Sequence, residues 1–166
     1  MTTPQIAHPP ETLEGWFSLH QIFRFRNPRV DVGRLAKLVR SASTALQPSK
    51  NAAGWSCFVR LIGSSSDLMA IHFRDSLDAI GVAQEELART QLAGKLEPTY
   101  TFLSVTEAGL YHITAELARA TQARGGEFGD EEYLRALDER TRAERESAHV
   151  RRRLYPELPA DMPYVS

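Results

Sequence analysis

The stretch GWFSLHQIFRF, residues 15–25, alternates between two sets of side chains along its whole length. One set is Phe17, Leu19, Phe23 and Phe25, and the other is Trp16, Ser18, His20, Ile22 and Arg24. Alternation with a period of two is typical of a β-strand. Pro28 then breaks the pattern. We therefore predict a half-buried strand, whose second set of residues is too apolar to face water.

The next segments, read outward from this strand, predict a helix and a hairpin. Residues 30–47 place Val32, Leu35, Leu38 and Val39 at helical spacing. Asp31 stands where an N-cap belongs, because its carboxylate can accept from the first free N–H groups of the helix. Residues 55–63 and 67–75 are predicted strands, and GSSSD (63–67) is the polar turn that joins them.

A second helix and a fourth strand complete the pattern. The predicted helix covers residues 76–96, with Ser76 as its N-cap. Its predicted buried stripe is Leu77, Ile80, Leu87 and Leu92. Residues 99–107 form the fourth strand, so the order is β-α-β-β-α-β over residues 15–107. This order predicts the α+β class and a ferredoxin-like domain.

Such a domain has both helices on one face of its sheet, and the other face needs a cover. That face would carry Trp16, His20, Ile22 and Arg24. We expect a second sheet to pack against it, from another copy or from a different chain, and hence an oligomer.

The chain divides into four predicted segments: a flexible arm (1–14), the ferredoxin-like domain (15–109), a helical extension (110–153) and a linker (154–166). The extension has acidic residues near the start of its second half and arginines at its end, which favours the helix dipole. Glu139 and Arg142 are one expected ion pair on its surface. The last residues, MPYVS, read as the start of a strand, so we expect the linker to lead toward a second domain.

Composition excludes several classes of function. The chain has 166 residues and a net charge of −1, which gives no basic excess for nucleic acid or anionic membranes. A single cysteine allows no internal disulfide framework. We find no secretory signal at the start and no apolar run long enough to cross a membrane. The expected location is the cytoplasm.

No sequence motif for nucleotide or zinc binding is present, and the five histidines are scattered singly. A lone strand histidine is more often packed or exposed than a ligand. Cys57 is expected to be a small core residue rather than a nucleophile. The cluster Arg151-Arg152-Arg153 is either a solvated helix terminus or a binding site.

Four stretches together resemble the chlorite dismutase-like family, which includes the coproheme decarboxylases of haem biosynthesis. They are EGWFSLHQIFRF (14–25), GSSSDLM (63–69), EELARTQLAGKLEPTYTFLSVTEAGLY (85–111) and RRLYPELP (152–159). The first resembles the family's opening strand, the second its hairpin, the third its helix-to-strand segment and the fourth its interdomain linker.

The resemblance implies that this chain is the N-terminal half of a two-domain subunit. Family subunits join two ferredoxin-like domains sheet to sheet, so the chain would be half of a dimeric α+β barrel, and subunits assemble into rings. Haem and its axial histidine belong to the second domain. The resemblance therefore assigns no catalytic residue and no metal ligand here, and haem or coproheme would be held by a partner chain.

One residue carries a family role by resemblance, and two positions depart from the family pattern. Arg153 matches the linker arginine that contacts a porphyrin propionate in the decarboxylase branch. Leu110 stands where that branch often has an asparagine, also near a propionate. Ser64-Ser65 replaces a His-Lys pair in the hairpin.

Three readings of function remain. The first is a subunit of a split haem protein that, with a haem-bearing partner chain, carries out oxidative decarboxylation of coproheme to haem b. The second is a non-catalytic structural or regulatory subunit of such a complex. The third is a truncated two-domain enzyme. The isolated chain is expected to be inactive and to bind no haem through an axial ligand.

Overall fold

The predicted element order is confirmed by a computed structural model, which describes residues 11–27, 29 and 31–158. The strands are β1 (Thr12–Phe25), β2 (Trp55–Arg60), β3 (Leu68–Arg74) and β4 (Leu96–Gly109). The helices are α1 (Val32–Ala45), α2 (Leu77–Arg89), α3 (Tyr111–Ala123), α4 (Glu131–Glu146) and α5 (Ala148–Leu154). A short 3₁₀ turn, Ala93–Lys95, precedes β4.

The four strands form one sheet in the order β2-β3-β1-β4. β3 lies antiparallel to both β1 and β2, with Ile71 opposite His20 on one side and Cys57 on the other. This is the ferredoxin-like arrangement that the sequence predicts, and the α+β class is confirmed.

Contacts divide the chain into two units. One is Trp16–Thr106, which contains α1, α2 and most of the sheet, and the other is Glu107–Pro156 together with the start of β1 up to Gly15. The core of the first unit lies between the sheet and its two helices, where Leu46 and Leu92 are fully buried. Burying such a leucine contributes about 1.5–3 kcal/mol.

The helix starts of the first unit are capped as expected. The Asp31 carboxylate accepts from the Arg34 N–H at 2.6 Å, and the Ser76 hydroxyl accepts from the Ala79 N–H at 3.2 Å. Gly54 allows the entry into β2, because its φ is +102° and a Cβ there would collide with the carbonyl oxygen of Phe73.

Several predicted boundaries were wrong. α2 ends at Arg89 rather than continuing to residue 96, because the Thr90 hydroxyl bonds the Leu87 carbonyl and the chain turns extended. Leu77, expected in the buried stripe, is 52% exposed because it is the first residue of its helix. β1 begins at Thr12, so residues 12–14 belong to the strand rather than to the N-terminal arm.

The second unit packs α3, α4 and α5 around Tyr133, Ile113 and Leu154. The helical extension (110–153) was predicted without a break after residue 130, but Ser147 divides that part, since its hydroxyl accepts from the Val150 N–H at 3.2 Å and starts α5. Arg142 pairs with Asp138 rather than Glu139, at 2.6 Å and i, i+4 spacing. Among the described residues, no helix is both long and apolar enough to cross a membrane. The predicted strand at MPYVS lies outside the described residues.

Candidate functional site

The face of the sheet that points away from α1 and α2 is the first candidate site, and we call it the far face. Strand pairing and ring contacts arrange its side chains in three rows across β2, β3, β1 and β4. The rows are Trp55, Phe73, Ser18 and Ser104; Cys57, Ile71, His20 and Phe102; and Val59, Met69, Ile22 and Tyr100. Trp16 and Arg24 flank the rows on β1. The alternation predicted for β1 is therefore confirmed.

The far face has the composition of an interface core. None of its twelve positions is charged and four are aromatic, whereas a solvated strand face normally carries charges. Tyr100 is 60% exposed and Phe102 is 38% exposed. The hydroxyl groups of Ser18 and Ser104 form a hydrogen bond of 2.8 Å with each other. A contiguous apolar surface of this kind is typical of a binding surface.

His20 lies in the middle row of the far face. Its ring stacks on Phe102 with centroids 4.4 Å apart and planes 4° apart, and it meets Phe73 edge-on at 6.4 Å. Nδ1 is enclosed and has no hydrogen-bond partner among the described residues. Burial lowers the pKa of His20 below its usual value. The far face thus contains one titratable nitrogen base without a polar partner in the described chain.

Cys57 also lies in the middle row rather than in the core beneath the helices, and it is partly buried. Burial raises the pKa of its thiol to about 11. A thiol with so high a pKa is protonated at neutral pH and is a poor nucleophile. The expectation that Cys57 is not a nucleophile agrees with this environment, although its predicted core position was wrong.

The opposite face of the same strands holds a buried polar cluster of Ser56, His72 and Arg74. The Arg74 guanidinium donates to Ser56 Oγ and to the carbonyls of Leu46, Trp55 and Phe73, at 2.7–2.9 Å. Because a guanidinium only donates, the Ser56 hydroxyl proton goes to His72 Nδ1, 2.8 Å away. Burial and the Arg74 charge lower the pKa of His72 to about 4.

This cluster joins the end of α1 to β2 and β3, and sequence reasoning missed it. A signal was present, since His72 and Arg74 continue the period of two that puts Leu68 and Ala70 under the helices. His72 is 0% exposed and bonded to a serine, so it is placed as a structural residue rather than as an iron ligand.

Arg153, the sequence-predicted propionate contact, lies on α5. Its Nε donates to the Glu107 carbonyl at 2.7 Å, at the end of β4. No described residue bonds its two terminal nitrogens, so they remain available for a carboxylate. Arg151 instead places its Nη1 3.8 Å from Glu146 Oε2, and Arg152 is exposed. Within the described chain, Arg153 is thus the one of the three whose guanidinium is anchored by a backbone bond.

The two positions that depart from the family pattern have structural roles. Leu110 is 1% exposed and belongs to the core of the second unit. Ser64 and Ser65 lie in the exposed loop between β2 and β3, where the Ser65 carbonyl accepts from Arg24 at 3.2 Å. The GSSSD segment is thus a turn, as predicted.

The remaining histidines of the described chain are dispersed. His112 on α3 and His149 on α5 are both exposed. In the part of the chain that the structure describes, no group of three or more His, Cys, Asp or Glu side chains comes together to hold a metal. The contact between Arg153 and a porphyrin propionate stays a prediction.

Comparison with known proteins agrees with the resemblance. The family model described as chlorite dismutase matches residues 35–166. The chain belongs to the chlorite dismutase family. This confirms the family that the four quoted stretches indicate.

Individual relatives have names that refer to haem. The chain is 26% identical over 157 residues to the coproheme decarboxylase of Staphylococcus saprophyticus, covering 90% of this chain and 53% of that protein. It is 30% identical over 162 residues to a protein of Natronomonas pharaonis provisionally named as heme-binding, covering 91% of this chain and 23% of that protein. The chain therefore spans about half of the first relative and a quarter of the second.

A solved structure supports the fold. A heme-binding protein of Thermus thermophilus matches with a TM-score of 0.54 and 24% identity, over 91% of this chain and 53% of that one. At this identity the match shows a common fold.

Proposed function

We propose that this chain supplies the N-terminal-type domain of a split haem protein, and that a separate chain supplies the haem-bearing domain. The observation that carries the proposal is the far face, twelve uncharged positions across four strands. The matched coproheme decarboxylase has about as much chain again beyond the part that aligns, because the match covers 53% of it. A second sheet of similar fold would cover the far face and exclude water from it.

The proposed reaction of the complex is oxidative decarboxylation of coproheme to haem b. The similarity to a coproheme decarboxylase supports this choice. The iron porphyrin supplies the oxidative chemistry when it is bound to the partner chain. This chain's part is to cover the haem-bearing sheet and to position a propionate.

Arg153 is the residue proposed for that positioning. Its Nε donates to the Glu107 carbonyl, which fixes the plane of the guanidinium. The two terminal nitrogens are then available to bind a ligand. Two parallel N–H donors match a carboxylate, and such charge-assisted pairs are the stronger kind of hydrogen bond.

A second candidate is a non-catalytic structural or regulatory subunit that docks the same partner. The position of Leu110 favours it, because a buried aliphatic side chain cannot donate to a propionate. A third is that the chain is a piece of an ordinary two-domain enzyme. The genomic reading frame separates this third case from the other two.

The test is to purify the tagged chain with whatever it binds natively and to titrate coproheme into the complex and into the chain alone. The proposal predicts a sharp Soret band and peroxide-dependent decarboxylation only in the complex. A complex that binds no porphyrin would favour the second candidate, a non-catalytic structural or regulatory subunit. A Soret band with a histidine-dependent iron signal in the chain alone would contradict the proposal that a separate chain holds the haem.

A further inference from the structure

His20 is the one basic side chain in the rows of the far face, and its surroundings decide whether its ring is protonated. Its neighbours in the rows are Ile71, Phe73, Phe102 and Ile22, none of which titrates, and Ser18, whose hydroxyl is bonded to Ser104. An imidazolium here would have no anionic partner among the described residues that face it. The ring is therefore uncharged when the face is covered.

The enclosed Nδ1 also fixes the tautomer. A neutral imidazole carries one N–H, and leaving a buried N–H without an acceptor costs more than leaving a lone pair without a donor. Because Nδ1 of His20 has no described partner, its proton belongs on Nε2. The ring then offers one N–H donor to whatever covers the far face.

Groups farther away do not supply a counter-charge. Cys57 shares the row with His20, and its thiol is neutral because its pKa is about 11. Arg24 stands beyond the rows on β1, and Tyr100 lies in the next row of β4. His72 lies on the other face of β3, and a proton on His20 would lower the pKa of His72 further. Of the described groups near His20, those that carry charge at neutral or acidic pH are cations.

We propose that His20 selects what docks on the far face. The covering sheet presents a neutral hydrogen-bond acceptor to the imidazole N–H, and it docks only while the imidazole is uncharged. The inference rests on the proposed function, since the occupant is the sheet of the haem-bearing domain. A polar group that lacks a partner within its own chain can set the register of an interface, because any register that brings no partner to it leaves it unsatisfied.

A consequence is that assembly depends on pH. If docking requires the neutral ring, an imidazolium must lose its proton before the complex can form, and association weakens about tenfold for each pH unit below the His20 pKa of the free chain. A carboxylate on the partner would reverse this pH dependence, because it would bind the imidazolium and raise the pKa of His20.

The test uses the native complex, followed by sedimentation velocity between about pH 7.5 and about pH 5. Wild type is expected to dissociate progressively as the pH falls. His20→Phe keeps an aromatic ring for stacking on Phe102 and should remain assembled across the range. His20→Lys carries a fixed charge and should fail to assemble even at the upper pH. His149→Gln, at an exposed position on α5, is the matched control and should follow wild type.

The His20→Phe comparison removes any general effect of acid on the fold, because both proteins retain His72. A second readout is an NMR titration of the free chain, in which His20 should titrate below the ordinary histidine pKa. Assembly that is unchanged or stronger at low pH, or a His20→Phe profile equal to that of wild type, would overturn the role of His20 while leaving the proposed function standing. A chain that is monomeric at every pH would instead remove the proposed function, and this inference with it.

Discussion

The two faces of the sheet differ in what surrounds their histidines. Beneath the helices, His72 is bonded to Ser56, and the Arg74 guanidinium donates to four oxygens. On the far face, His20 has an enclosed Nδ1 with no described partner, in rows that contain no charge. The polar cluster beneath the helices is therefore held by groups of its own chain, although Gln21 Oε1 and His72 Nε2 also lack a described partner there. The far face differs in that its histidine side chain makes no described hydrogen bond and lies among partly exposed apolar side chains, and such a surface is a place to look for a binding partner.

The largest expected effect tests the polar cluster on the face of the sheet beneath α1 and α2. Arg74→Ala removes four hydrogen bonds and leaves the carbonyls of Leu46, Trp55 and Phe73 buried without that donor. We expect the free energy of unfolding to fall by about 3–5 kcal/mol, measured by urea denaturation. Arg60→Ala, at an exposed position on β2, is the control and should change it by less than about 0.5 kcal/mol. Similar small losses in both variants would contradict a structural role for the cluster.

The next effect tests the far face. Ile71→Lys places a charge in the middle row, and burying it against a covering sheet should weaken association about 100-fold or more. Val82→Lys adds the same charge at a 54% exposed position on α2 and should leave association unchanged. Sedimentation of the native complex measures both. Equal association of the two variants would show that the far face is not the interface.

The comparison of faces also shows what the sequence could and could not predict. The alternation from Trp16 to Phe25 predicted β1 and its two faces, because period two follows directly from strand geometry. The break at Ser147 was missed because interleaved Glu and Arg residues favour helix on both sides of it. Cys57 was misplaced because a small apolar residue on a strand does not reveal which face is covered.

For the site, the sequence predicted Arg153 only through resemblance, since spacing alone cannot separate three consecutive arginines. The bond from its Nε to the Glu107 carbonyl depends on a residue 46 positions earlier in the chain, which a local pattern does not report. The Ser56–His72–Arg74 cluster was missed for the same reason, because its members come from two strands.

A smaller effect concerns Arg153. Arg153→Ala should weaken porphyrin binding by the complex by about 1.5–3 kcal/mol, the range for a charge-assisted bond. Arg151→Ala and Arg152→Ala are the matched controls, since the former pairs with Glu146 and the latter is exposed. Titration of the complex with coproheme gives the three affinities. Equal, small losses would leave Arg153 as a surface charge that anchors α5 to β4.

The smallest effect is the pH dependence of folding that His72 produces. Its folded pKa is about 4, lower than the 6.5 of an unfolded histidine, so the unfolded chain binds the proton first as the pH falls. Stability is therefore lost on acidification from about pH 6.5 toward pH 4, by about 2 kcal/mol at pH 5. Urea denaturation should show this loss in wild type and a reduced loss in His72→Gln. An equal loss of stability on acidification in both proteins would show that His72 is not its source.

The central claim is that the far face docks a separate haem-bearing domain. Sedimentation velocity of the native complex, recorded at the protein band and the Soret band together, tests it most directly. The account predicts one boundary that carries both signals in wild type, and in Ile71→Lys a slower boundary for this chain without Soret absorbance. A haem signal that stays with the Ile71→Lys chain, or a wild-type chain that sediments alone as a monomer, would contradict it.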